Sequence, residues 1–312
     1  MEKIKKDVRP YGECVECGKY GELTGEHIFA AWIGRHIHDT QEFTDSFLWT
    51  DQRFVRTRID NRSERASEHG HANAKLAILC KACNNELGSA LQDAVSAVMK
   101  PLLNGEQWWV SDKNRQLIAS WISSFVMTRQ FVHPELAAIS SEQRLKFHTT
   151  RLPFENLSVW IAPFHGTESM ASWYRGFYMN FLDVEETLVR IVKDPVVKNS
   201  FILVVTIGKL VFLVFGLADK TMGNMAGSLW IKAARCAESL GLTRLWPTYS
   251  AFPTVTPASL GDADLEQVAL SFALAFDEGI GREQFIGAVR WTQASTLASR
   301  GRYVQEGNFD AR

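Results

Sequence analysis

Two Cys-x-x-Cys pairs, Cys14-Val-Glu-Cys17 and Cys80-Lys-Ala-Cys83, constrain this chain more than any other feature. A Cys-x-x-Cys turn projects both thiols from one side of a tight knuckle, and two knuckles supply the four sulfur ligands of a tetrahedral zinc. A disulfide framework suits the chain poorly. It is long, it has only one further cysteine, and Met1-Glu-Lys-Ile-Lys-Lys-Asp7 contains no apolar leader. A redox role fits one such pair better than two, and neither lies in a βαβ pattern. The expectation is a structural Zn²⁺ that closes the loop from Cys17 to Cys80. The fifth, Cys236, reads as a small buried hydrophobe on a helix.

The residues beside the knuckles carry more chemistry. Glu26-His27-Ile28 follows the first pair. Asn84 follows the second, where Leu87, Leu91, Val95 and Val98 recur at spacings of three and four. That period predicts an amphipathic helix starting just past Cys83. The set Cys14, Cys17, Glu26-His27-Ile28, Leu79-Cys80, Cys83-Asn84 resembles the HNH endonuclease family in its zinc-knuckle form, over residues 1–100. The resemblance implies a ββα-metal finger, in which a hairpin carries the acid–His pair and the next helix carries the last ligand. It implies that His27 is the general base toward the attacking water. Glu26 and Asn84 would be ligands of a catalytic Mg²⁺ or Mn²⁺.

The chemistry is coherent on its own terms. Phosphodiester hydrolysis needs a water activated near neutral pH, and histidine has the matching pKa. A divalent cation neutralises charge on the phosphate and the leaving oxygen. Oxygen donors such as Glu26 and Asn84 suit Mg²⁺ or Mn²⁺, whereas thiolates suit zinc.

Each residue has a plainer reading. His27 alone would be a satisfied core or turn histidine, Glu26 a solvated acid, and Asn84 an N-cap. The middle signature position, an Asn in the family, is Lys75 here, with Asn73 two residues away. Either or neither orients His27. The segment from Phe43 to Gly70 is an insertion, a substrate loop or scaffold. His36 and His38 read as helix-end decoration, and His69 and His71 as an exposed turn.

The balance of 34 basic and 35 acidic residues excludes a globally cationic coat protein but not a local basic groove. Arg53, Arg56, Arg58, Arg62 and Arg65 cluster in one stretch. Phe54–Ile59 alternates as a strand does, which places Arg56 and Arg58 on one face. That face, with Arg53 and Lys75, is the expected phosphate contact. Its plainer reading is a solvated strand face. No recognition helix for base readout is visible.

The remainder reads as a second region, 101–312, divided from the first near Lys100-Pro101. Asn114–Arg129 is predicted as a long amphipathic helix. Ser140–His148 is predicted as another, with a Ser140/Gln143 capping box. Asn156–Ala162 and Trp173–Leu182 read as strands. Phe201–Ile207 and Leu210–Gly216 read as a hairpin around Gly208-Lys209, not a membrane span, because Lys209 sits at the centre. Asp264–Glu278 reads as a helix, and the aromatic stripes as core. This region resembles the C-terminal parts of uncharacterised bacterial HNH proteins.

The expected fold class is therefore α+β, a zinc-stabilised ββα-metal module followed by an α+β domain with an antiparallel sheet. The expected function is metal-dependent cleavage of nucleic acid, with DNA favoured over RNA. The expected setting is cytoplasmic, without a membrane. A partner subunit or a second copy is an open expectation, as is a role in phage defence by analogy. The alternative is a zinc-containing nucleic-acid-binding or protein-interaction module without catalysis, which Lys75 favours.

Overall fold

The computed structural model describes residues 10–37, 44–50, 53–59, 75–107, 110–132, 134–166, 170–177, 179–181, 189–191, 198–217, 234–235, 237–247 and 259–264. The fold is mixed helix and antiparallel sheet. The expected helix over Asp264–Glu278, apart from Asp264, lies outside those residues, as does Cys236.

The first sheet is built around the knuckles. Strand β1 (Tyr11–Glu13) pairs antiparallel with β2 (Tyr20–His27). Helix α1 (Ala31–Ile37) follows. A separate hairpin joins β3 (Thr44–Thr50) to β4 (Arg53–Ile59). Strand β5 (Lys75–Cys80) then returns antiparallel to β2, so that the sheet order is β1-β2-β5. The strand expected over Phe54–Ile59 is therefore present as β4.

Past Cys80 the chain departs from the expected helix. Ala82–Gly88 forms a π-helical turn, and α2 (Ser89–Leu103) starts only after it. The extra residue in a π turn rotates the following helix against the preceding pattern. Leu87 is therefore exposed, while Val95, Met99, Leu102 and Leu103 are buried. Gly88 sits where an added Cβ would lie 3.0 Å from the Cys83 carbonyl oxygen, so the turn needs a small residue there. Helix α2 also continues through Pro101 to Leu103.

Helix α3 (Asp112–Arg129) starts at a Ser111 cap whose side chain accepts from the Asn114 amide. It is not amphipathic as expected. From Ile118 to Arg129 nearly every residue is buried, because the helix runs between α2 and the second sheet. Helix α4 (Ser141–Thr150) has the predicted capping box, with Ser140 and Gln143 bonded reciprocally.

The second sheet contains β6 (Leu157–Pro163), β7 (Met170–Phe177), β10 (Ser200–Ile207), β11 (Leu210–Leu217) and β12 (Thr243–Trp246). A short pair, β8 (Met179–Phe181) with β9 (Val189–Ile191), lies beside it in sequence. The order is β12-β6-β11-β10-β7, all antiparallel. Every residue of β10 and β11 is buried, which is why both strands read as unbroken apolar runs rather than alternating ones.

One hydrophobic core joins the two regions. Phe29 and Ile33, just past β2, share it with Val95 and Met99 of α2, Trp121 and Phe125 of α3, and the inner face of the large sheet. Phe29 and Phe125 rings lie 5.2 Å apart. Gln92 accepts from both Trp32 and Trp121 indole nitrogens at 3.0 Å, which satisfies two donors in one place. The β10–β11 turn docks on the end of α2, where Lys209 donates its backbone N–H to the Leu103 carbonyl at 2.9 Å. Gly208 there has φ +57°, and a Cβ would lie 2.9 Å from that same oxygen. Gly208→Ala is expected to cost about 1–3 kcal/mol, from the left-handed backbone plus the contact. Urea denaturation checks this, and an unchanged midpoint would refute the docked turn.

Candidate functional site

The four knuckle sulfurs converge. Cys14 and Cys83 are fully buried, and Cys17 and Cys80 half-buried. All four Sγ atoms lie within 4.8 Å of one another, and the group could hold a metal ion such as zinc. Cys17 and Cys80 sulfurs stand 3.8 Å apart. A tetrahedron with Zn–S bonds of about 2.3 Å has an edge of about 3.8 Å, so the spacing fits the ion. Backbone bonds fix the cluster. The Gly18 amide donates to the Cys14 carbonyl at 2.8 Å, with Gly18 at φ +73°, and the Val15 amide donates to Ile78 of β5 at 3.0 Å.

As thiols Cys14, Cys17 and Cys83 are in tension. The hydrogen bond from Cys83 pulls the Cys14 thiol down to about 4, while the same bond and burial push Cys83 far up. Burial also raises Cys17. A divalent cation removes that conflict by accepting charge from all four sulfurs.

The acid–His pair lies at the far end of β2. In the β2–β5 register His27 stands opposite Lys75 and Glu26 opposite Leu76. Both Glu26 and His27 are half-buried. Burial, and next the negative charge of Glu16, push the Glu26 carboxyl up to about 7, against the opposing effect of the Lys75 cation. The Lys75 stem lies over Gly25, 3.3 Å from where a Cβ would be. Lys75 thus sits beside Glu26 and opposite His27.

Asn84 is not an N-cap. Lys81 stands at the start of the turn and makes no side-chain cap bond. Instead Asn84 Nδ2 donates to Thr24 Oγ1 at 2.9 Å and to the Gly25 carbonyl at 3.3 Å. Thr24 Oγ1 in turn donates to the Leu79 carbonyl at 2.9 Å. Because a carbonyl only accepts, this chain fixes the amide with its nitrogen toward the strand. The Asn84 side-chain oxygen Oδ1 then accepts no hydrogen bond among the described residues, while its backbone carbonyl accepts from the Ser89 amide. The helix start is thereby pinned to β2 immediately before Glu26 and His27.

Three residues missed in the sequence surround the sulfur cluster. Glu16, inside the first knuckle, is only 2 % exposed. His148 Nδ1 lies 2.9 Å from its Oε1, and Arg151 Nη2 lies 2.5 Å from that same oxygen. Both belong to the end of α4, and no local pattern announces a partner more than 130 residues away. The other sequence candidates scatter. Arg53, Arg56 and Arg58 lie in β4, opposite Thr50, Phe47 and Asp45. His36 bonds Asn104 Oδ1 at 2.8 Å at the end of α1. His38, His69, His71, Asn73, Arg62 and Arg65 lie outside the described residues. Among the described residues no helix is long and apolar enough to cross a membrane.

No protein-family model, curated protein or solved structure matches this chain significantly. The site's own geometry therefore carries the functional argument.

Elemental analysis is expected to find one zinc per chain, and Cys83→Ser to lose most of it; a metal-free wild type would refute the fit. Glu26 gives a pH test. Its folded pKa lies above its ordinary 4.5, so its contribution to stability is full below that value and lost as pH rises through about 7. Glu26→Gln stays neutral. Without added Mg²⁺ or Mn²⁺ it should gain about 1–3 kcal/mol relative to wild type between pH 5 and pH 8. A gap that does not change with pH, read by urea denaturation, would sink this account of Glu26.

Proposed function

We propose that the chain is a metal-dependent HNH-type endonuclease, acting on nucleic acid with DNA favoured. The observation that carries this is the Asn84 amide bonded to Thr24 and Gly25, which brings the helix start of a β2–β5–helix unit to the strand end bearing Glu26 and His27. An acid, a base and an amide carbonyl oxygen are thus presented from two adjoining elements. The resemblance of the flanking knuckles to the zinc-knuckle HNH pattern points the same way.

In this reading Zn²⁺ held by Cys14, Cys17, Cys80 and Cys83 is structural. Glu26 and Asn84 Oδ1 would hold a Mg²⁺ or Mn²⁺, which would supply charge neutralisation at the phosphate and the leaving oxygen. His27 takes the proton of the attacking water. Lys75, opposite His27, meets a phosphate oxygen or offsets the Glu26 charge. Arg56 and Arg58, two apart on β4, share a strand face and contact the backbone phosphates with Arg53.

Lys75 also favours a second reading. Its cation beside Glu26 supplies positive charge where a metal would otherwise sit, which suits a zinc-containing nucleic-acid-binding or interaction module without catalysis. Cleavage separates the two. With Mn²⁺ or Mg²⁺ and plasmid or oligonucleotide substrate, His27→Ala should lower the rate by about 10²–10⁴-fold. Equal rates for His27→Ala and wild type would refute the base, and an inert wild type that still binds nucleic acid would favour the second reading. In either reading, Arg56→Ala with Arg58→Ala should weaken nucleic-acid binding and lower the slope of log affinity against log salt by about 2.

A further inference from the structure

The Glu16–His148–Arg151 group meets the sulfur cluster at Cys83. We infer that α4 completes the zinc site, with His148 as a positioning residue that donates from Nδ1 to the Cys83 sulfur. His148 Nδ1 lies 3.5 Å from Cys83 Sγ and 2.9 Å from Glu16 Oε1. Arg151 donates to that same oxygen, so Glu16 Oε1 stands there as an acceptor. A zinc-bound Cys83 is likewise an acceptor. A ring nitrogen facing two acceptors must carry the proton, so Nδ1–H is shared between them.

Charge gives the reason. A zinc bound to four thiolates carries a net charge of two minus, and Glu16 adds a third negative charge in a buried place. The described partners facing this group are His148 and Arg151, both from α4, while Arg144 of the same helix donates to the Val15 carbonyl at 2.5 Å. The shared Nδ1–H would orient the ligand sulfur and draw off part of its charge, as outer partners of metal ligands do.

The backbone shows the same commitment. Arg151 holds φ +56° at the end of α4, a conformation usually left to glycine. An arginine there keeps the Glu16 ion pair and lies over the Phe147 ring at 5.2 Å. Residues beyond the first hundred therefore contribute to holding the metal. Because Cys83 adjoins Asn84, they also brace the helix start that reaches Gly25.

The test reads zinc affinity of the full chain by chelator competition, not cleavage, so it stands or falls apart from the nuclease reading. His148→Ala should weaken zinc binding by about 10–100-fold. His148→Asn, whose amide nitrogen can replace Nδ1–H, should recover most of that loss. A role in packing alone predicts no such recovery. In the Co²⁺-loaded protein, losing the N–H···S bond should shift the sulfur-to-metal charge-transfer band to lower energy in His148→Ala. Zinc affinity within about twofold of wild type in folded His148→Ala, or His148→Asn no better than His148→Ala, would overturn the proposal. Should His148→Ala fail to fold, His148→Phe is read instead, because it keeps a ring in the site and removes the N–H donor. It is expected to weaken zinc binding in the same direction, and unchanged affinity there would also overturn the proposal.

Discussion

Convergence of four sulfurs on one point is the constraint on which the N-terminal architecture depends. Cys17 and Cys80 meet at 3.8 Å across 63 positions of chain. Closing a loop of that length costs entropy that a small three-stranded sheet would not repay by itself. Among the described residues the local core there is Cys14, Leu79 and Cys83, with a few half-buried neighbours. A metal ion held by the four sulfurs would offset that cost and hold the knuckles, and with them β2 and β5, in place. The register then decides which residue faces His27.

The acid–His pair lies between two anchors of different kinds. On one side, Leu23 and Leu79 pack with the sulfur cluster. On the other, Phe29 and Ile33 enter the main core with Trp121 and Phe125. Glu26 and His27 are thus polar residues held at a strand end whose flanks cannot shift independently. This is the kind of support a reacting group needs, since small misplacement is costly. The same burial explains the raised Glu26 pKa, because a half-buried carboxyl beside a second carboxylate is favoured neutral.

Much of this was legible in the sequence, and the reasons are local. The Cys-x-x-Cys turns, the Ser140/Gln143 capping box and the Phe201–Leu217 hairpin all depend on residues within a few positions of one another. The errors have a common cause in tertiary context. The π turn at Ala82–Gly88 shifts the helix phase, so Leu87 leaves the buried stripe. Helix α3 shows too little polarity contrast to be amphipathic because it is covered on nearly every side. Asn84 looked like a cap because caps are local, but its partners sit across the sheet on β2. Glu16 carries no local signal of its burial. Only folding brings α4 to it.

Glu16 also separates stability from specificity. A buried carboxylate is costly even when paired, and an apolar residue of similar size would stabilise the fold as well or better. What an apolar residue cannot do is distinguish one docking of α4 on the knuckle from a slipped one. Arg151 and His148 meet the same Oε1 from one helix end, and the shared acceptor fixes both the rotation of α4 and its position along the knuckle. The left-handed Arg151 backbone is strain tolerated for that registry. Since Glu16 lies between two cysteines of the sulfur cluster, the register of α4 and the geometry of that cluster are set by the same atoms.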